Sequence, residues 1–310
     1  MSDGILNVYK PAGMTSHDVV GKIRRIYGQK KVGHGGTLDP DAAGVLPVFL
    51  GTATRLLEYA VEGTKAYRAE GCLGARTDTG DRSGTVVEER AVPPLTREDM
   101  ERVLEQFRGS ILQTPPMYSA LKVKGRKLYE YARKGIEVER QPRAIQIHKL
   151  TLRDWQLPYF TVDVECSKGT YIRTLLEDIA SALGTVGHMT SLLRTRVGDY
   201  TLDEAHTLEE IAAAPEAVLL PVERAVRNLP GFQATPMQAY RLTNGVATTV
   251  RGTADGTYAL FSTEEFLGIG VCTDEVMRAR KILRHAERPP ETDGTAAEVE
   301  EGRDSHDHCE

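Results

Sequence analysis

The stretch from Phe160 to Gly184 constrains the fold more than any other, because its hydrophobic period switches from about two residues to about 3.6 within one short segment. Phe160, Val162, Val164 and Cys166 alternate with polar neighbours, the pattern of a half-buried strand. Gly169 and Thr170 then lead into a predicted helix that buries Ile172, Leu175, Leu176, Ile179, Ala180 and Leu183 and closes at Gly184. Strand character recurs over residues 5–9, 45–50 and 65–73, and the strand pattern opening at Ile145 has a register shift expected near Lys149. Helices are expected after a cap at Thr15 or Ser16, after Thr52, and after Thr96, which has Asp99 at the capping-box position. Several strands interrupted by few helices make this an α+β chain, with a mixed or antiparallel central sheet backed by helices. The main domain is expected to span residues 1–228, with a basic insertion at about 117–143. Short β-prone runs between glycine turns assign a small β-rich domain to 229–284, and 285–310 reads as a disordered acidic tail.

Charge is unevenly spread, and that decides which partners are plausible. The formal net charge is −5, but residues 286–310 alone hold nine acids and two bases, so the rest of the chain is about +2. Residues 22–31 carry five bases and no acid, and residues 122–143 carry eight bases against three acids. Local patches of this kind steer polyanions whatever the global charge. No apolar run reaches the roughly 20 residues needed to span a bilayer, and the first residues lack the features of a signal peptide, so a cytoplasmic protein is expected. Four cysteines, Cys72, Cys166, Cys272 and Cys309, are widely spaced without a CxxC pair, so neither a zinc site nor a disulfide framework is encoded. His306, Asp307, His308 and Cys309 resemble a ligand cluster, but they stand in the tail with no scaffold, so no metal is expected there.

The candidate chemistry begins in the loop GHGGTLDPDAAGVLPV, residues 33–48. Four glycines allow close approach of the backbone, and Pro40 restricts the residue before it, Asp39, to an extended conformation that aims its carboxylate. Asp-Pro is also an ordinary way to start a turn or short helix. The loop lacks the third glycine of a dinucleotide fingerprint, having Leu38 there, and no Lys-Ser/Thr follows to make a phosphate loop. Arg173 falls one turn inside the predicted helix among apolar residues and needs a carboxylate partner if buried, for which Asp39 is the candidate. Such a pair is expected to depress the carboxylate pKa and to hold a group that serves as nucleophile, base or structural anchor. Tyr67, Tyr118 and Tyr171 stand out in a chain that is only 6% aromatic, because a tyrosine ring stacks on an unstacked base. His34, beside the loop glycines, is a candidate to contact a phosphate or to wedge into a nucleic-acid loop, whereas Asp78 and Asp81 read as turn caps rather than magnesium ligands.

The motifs NVYKPAGMTSHDVV, GHGGTLDPDAAGVLPV, KAYRAEGCLGARTDTGD, QTPPMYSALKVKGRKLYEYARKG and CSKGTYIRTLLEDIA, in that order, closely resemble the TruB-type tRNA pseudouridine synthases over about residues 5–200. The resemblance implies a pseudouridine synthase-like fold with a PUA-like C-terminal domain. It also implies isomerisation of uridine to pseudouridine at position 55 in the T loop of tRNA, without cofactor, metal or guide RNA, by a monomer. By the same resemblance Asp39 is the catalytic aspartate, Arg173 its salt-bridge partner and Tyr67 the tyrosine that packs on the target base. His34, Tyr171, Leu192 and Lys10 match substrate-binding positions, and residues 122–143 match a mobile insertion that closes over the T arm. Gly35 stands where threonine is common and Leu193 where a second arginine is common, and the C-terminal region is a looser match. The rival is a non-catalytic tRNA-binding or folding protein on the same scaffold, which would have no need of Asp39 and Arg173 together.

Overall fold

The computed structural model describes residues 2–123, 125–263 and 265–289. The chain divides into two compact units, Met1–Arg227 and Asn228–Glu310. The greater part of the acidic tail, from residue 290 onward and including His306, Asp307, His308 and Cys309, lies outside the described residues.

The first unit is built on a nine-stranded sheet. Its strands are β1 (Gly4–Lys10), β2 (Val32–His34), β3 (Ala43–Leu50), β4 (Lys65–Leu73), β5 (Gly109–Gln113), β6 (Arg143–Gln156), β7 (Tyr159–Cys166), β8 (Gly187–Val197) and β9 (Tyr200–Thr201). The order is β1-β3-β8-β4-β7-β6-β5, with β2 beside β3 and β9 beside β8. All pairings are antiparallel except β3 with β8, where Leu193 and Arg194 run alongside Ala43 and Gly44. That parallel pair leaves no room for a side chain at Gly44, whose φ is +107° and whose added Cβ would lie 2.2 Å from the Arg194 carbonyl oxygen. The expected register shift falls between Ile147 and Lys149, where β6 meets β7.

Three helices carry most of the helical packing: α1 (Ser16–Ile26), α2 (Arg97–Gln106) and α3 (Ile172–Ala182). Thr15 and Thr96 each close a full capping box, with Asp18 and Asp99 returning the bond to the cap backbone. In α3, Ile172, Leu175, Leu176 and Ile179 are buried against β4, β6 and β7 and against α2, each such burial contributing about 1.5–3 kcal/mol. A second core joins α1 to β1 and β3 through Val19, Val20, Ile23, Leu6, Val8, Leu46 and Val48. The expected cap at Thr52 is not made. A 3₁₀ turn, Gly51–Leu56, begins there instead, and the Thr52 N–H donates to the Asp3 carboxylate, because a side chain from the N-terminus reaches the turn first. The basic segment 117–143 holds a two-residue hairpin, Lys122–Val123 with Arg126–Lys127, and a short helix Leu128–Ala132.

The second unit is a small β-rich, PUA-like sheet of five strands in the order Gly231–Ala234, Gly256–Ser262, Glu265–Thr273, Val276–Ile282 and Thr248–Thr249. It also contains a helix, Pro236–Thr243, capped by Thr235 with Gln238 returning the bond.

Candidate active site

Asp39 sits in the connection between β2 and β3, and the surrounding loop is tied down on every side. The Gly35 N–H donates to the Pro47 carbonyl, Leu38 exchanges hydrogen bonds with the buried Ser16 hydroxyl, and Gly13 N–H donates to the Pro40 carbonyl. Lys10 is fully buried below the loop, and its ammonium donates to the carbonyls of Pro11, Met14 and Pro40. Burial pulls its pKa down to about 8. Lys10 therefore acts as a strut for the loop rather than as a surface cation. Asp39 does start a turn, with Ala42 N–H donating to its carbonyl at 3.1 Å. Its side chain takes no part in that turn: among the described residues its carboxylate oxygens meet only the Arg173 guanidinium.

Arg173, on the first turn of α3, reaches three separate segments. Its Nε lies 3.0 Å from Asp39 Oδ2 and its Nη2 3.4 Å from Asp39 Oδ1. Its Nη1 donates to the Thr79 carbonyl at 2.8 Å and its Nη2 to the Tyr118 carbonyl at 2.7 Å, at the root of the basic segment. Asp81 Oδ2 is 3.7 Å from Nη1. The arginine side chain is only 7% exposed while that of Asp39 is 37% exposed, so the cation is sealed and the carboxylate remains open to a ligand.

One sequence-based expectation is reversed. Burial pushes the Asp39 pKa up, and the opposing pull of Arg173 does not overcome it, with Asp81 adding a further push upward. The guanidinium is shared between two carbonyls and a second carboxylate, so it cannot stabilise Asp39 as a dedicated partner would.

Tyr67 on β4 stands directly opposite Arg194 on β8. Both are buried, and the Arg194 guanidinium lies against the Tyr67 hydroxyl, with Asp39 close enough for its charge to act on each. Burial raises the Tyr67 pKa, so the phenol stays neutral. Arg194 also donates to the carbonyls of Val45, Thr37 and Gly36, holding both ends of the Asp39 loop. Leu192 lies two residues before Arg194 on the same strand, half-buried against the main core. His34, at the end of β2, has its Nδ1 buried without a hydrogen-bond partner among the described residues, and burial lowers its pKa toward the neutral ring. Tyr171 is the N-cap residue of α3 but makes no side-chain cap. Gln113, buried at the end of β5, clamps it instead: Tyr171 N–H donates to Gln113 Oε1 at 2.7 Å, and Gln113 Nε2 donates to the Tyr171 carbonyl at 3.1 Å.

Asp78 and Asp81 are turn residues. Asp78 accepts from Thr85 N–H, and Asp81 Oδ1 accepts from Thr79 and Ser83 hydroxyls and from Ser83 N–H. Sequence reasoning missed the second use of Asp81, against Arg173, and gave no role to Gln113 or Arg194. A signal for Arg194 existed: an arginine between Leu193 and Thr195 in a strand pattern is costly unless it is bonded inside the sheet.

The site thus sets an accessible aspartate, held by a sealed arginine, beside a buried tyrosine. The model of the TruB family pseudouridylate synthase N-terminal domain matches residues 24–172, and that of the tRNA pseudouridylate synthase B C-terminal domain matches residues 173–227. The chain belongs to the TruB family. A tRNA pseudouridine synthase B from Caldanaerobacter subterraneus subsp. tengcongensis is 47% identical to this TruB-family chain over 286 residues, 91% of the chain and 99% of the relative. Another from Symbiobacterium thermophilum is 52% identical over 252 residues, 80% and 84% of the two. In known structures, the TruB-family fold is shared with a Cbf5-Nop10-Gar1 complex at a TM-score of 0.72 and 25% identity, covering 92% of this chain and 86% of that one.

Proposed function

We propose that this TruB-family chain isomerises uridine to pseudouridine at position 55 in the T loop of tRNA, with Asp39 as the catalytic residue and Arg173 as its positioning partner. The carrying observation is the asymmetry of the pair: the carboxylate is open and the guanidinium sealed. In the reaction the N1–C1′ bond breaks, the uracil turns, and a C5–C1′ bond forms, with the C5 proton lost and N1 regaining one. The base must leave its stack and stay enclosed throughout, which is the general requirement of chemistry on a nucleobase. Tyr67 supplies a neutral ring for the extruded uracil to pack on, and Tyr171, Leu192 and His34 line its approach. Asp39 serves by attack at C1′, by attack at C6, or by assisting loss of the 2′ proton, each of which splits one hard step into easier ones. The bases of residues 122–143 meet the phosphates of the T arm, and the carbonyl of Tyr118, four residues before that segment, accepts from Arg173.

No cofactor, metal or guide RNA is needed for this chemistry, and the reading takes the chain as a monomer in the cytoplasm. No helix among the described residues is long and apolar enough to cross a membrane. Asp39→Asn should abolish tritium release from tRNA labelled at uracil C5 while tRNA affinity stays within about tenfold. Near-normal turnover in that variant removes Asp39 from the mechanism and leaves a tRNA-binding protein on the same scaffold.

A further inference from the structure

The proposed reaction leaves one cation next to the Asp39 loop unexplained. Lys65, the first residue of β4, shares a face of that strand with Tyr67 two residues on. Its side chain is half-buried, and among the described residues no hydrogen bond or ion pair neutralises it. The charges that act on it are those of Arg194 and Lys168, both cations, while the Cys166 thiol opposite it across the strand pair is kept neutral by burial, which pushes its pKa up to about 11. Lys168 has its own carboxylate, Glu62 at 3.5 Å, whereas among the described residues no carboxylate pairs with Lys65. Burial together with Arg194 lowers its pKa, the mark of a charge held at a cost.

Gly36 marks where that charge points. It has a φ of +89°, and an added Cβ would lie 3.4 Å from Lys65 Nζ and 3.7 Å from Arg194 Nη1. The absence of a side chain at 36 thus leaves a niche bordered by two cations, three residues before Asp39. A cation retained at such a cost is compensated when an anion arrives.

We propose that Lys65 and Arg194, across Gly36, form a subsite for one phosphodiester flanking the extruded nucleotide. Lys65 supplies the unsatisfied charge, and Arg194, already bonded to three carbonyls, supplies the field. This rests on the reading of the site as one that receives a nucleotide out of its stack, and it assigns the ligand class of a residue to which that reading gives no part. Seating the phosphate here would fix the sugar relative to the Asp39 carboxylate, which is the positional control the reaction needs.

The test uses the full chain and a T-arm stem-loop RNA, with the linkage 5′ or 3′ of the target uridine replaced one at a time by neutral methylphosphonate. Kd is measured over a salt series for wild type, Lys65→Met and Lys65→Arg, and pseudouridine is mapped by mass. Lys65→Met should raise Kd about tenfold and reduce the slope of log K against log salt by about 0.7, one phosphate contact on a single strand. Lys65→Arg should stay within about threefold of wild type. One of the two methylphosphonates should weaken wild type by a similar factor and leave Lys65→Met unchanged, and Lys65→Met should melt no lower than wild type. Unchanged affinity and slope in Lys65→Met overturn the subsite, as do additive losses from the variant and both methylphosphonates, or a lower melting temperature that accounts for the weaker binding. Wild-type chain that makes no pseudouridine in this RNA instead sinks the functional reading, so the two failures are distinguishable.

Discussion

Replacing Arg173 by lysine tests whether the geometry of the guanidinium, and not merely its charge, organises the site. Three different nitrogens serve three acceptors: Nε binds Asp39 Oδ2, Nη1 binds the Thr79 carbonyl and Nη2 binds the Tyr118 carbonyl. A lysine ammonium is one point on a flexible stem and cannot span positions set by a planar fork. It keeps one of these partners, so about two hydrogen bonds from a charged donor are lost, at roughly 1.5 kcal/mol each. Asp39 is more than a third exposed, and its share of the loss is screened by water, which holds the total to about 3 kcal/mol. In a unit of this size that corresponds to a fall in melting temperature of roughly 6–12 °C. Turnover should fall further than stability suggests, by about a hundredfold, because the carboxylate loses its orientation while the protein remains folded at 25 °C. Urea unfolding and single-turnover pseudouridine formation measure the two effects separately. Lysine at 173 with stability within about 1 kcal/mol and rate within about threefold of wild type would show that the fork is dispensable, and the account of the site would be wrong.

The raised Asp39 pKa has a sign that is checked in two ways. A carboxylate whose folded pKa lies above its unfolded value favours folding when protonated and opposes it once ionised, so the penalty is present at pH above the folded pKa. Asp39→Asn should therefore melt above wild type at pH 7, with the gap closing as pH falls through the folded pKa and below the ordinary carboxylate value. Turnover should fall with acid over a range higher than an unperturbed aspartate would give, as read from a single-turnover pH profile; a fall confined to ordinary aspartate pH contradicts it. Gln113→Met removes both bonds to the Tyr171 backbone and should cost about 2 kcal/mol in urea unfolding, with kcat reduced more than KM is raised. Gln113→Glu keeps the acceptor for Tyr171 N–H and should recover part of the rate; equal kinetics in both variants would reduce Gln113 to a packing residue.

The legible parts of the fold were those encoded in contiguous residues. Thr15 with Asp18 and Thr96 with Asp99 mark helix starts because both halves of the capping box lie three residues apart. The same rule was available at Thr235 with Gln238, followed by Pro236, but the surrounding β-prone runs hid the helix Pro236–Thr243. Asp39 was legible as a carboxylate aimed by Pro40, and Arg173 as a buried cation in search of an acid. The Gln113 clamp was not legible, because its partner is 58 residues away and is backbone, which carries no sequence signature.

Periodicity, caps, glycine positions and the uneven charge are properties of local sequence, and from them came the strand and helix inventory, the α+β class and the candidate loop. Tertiary structure decided what surrounds each group. It brought residues 134 apart in the chain into one ion pair, shared Arg173 among three segments, and set two cations across Gly36. It also reversed the direction of the Asp39 pKa, because desolvation depends on everything packed around a carboxylate and not on the one partner its neighbours in sequence suggest.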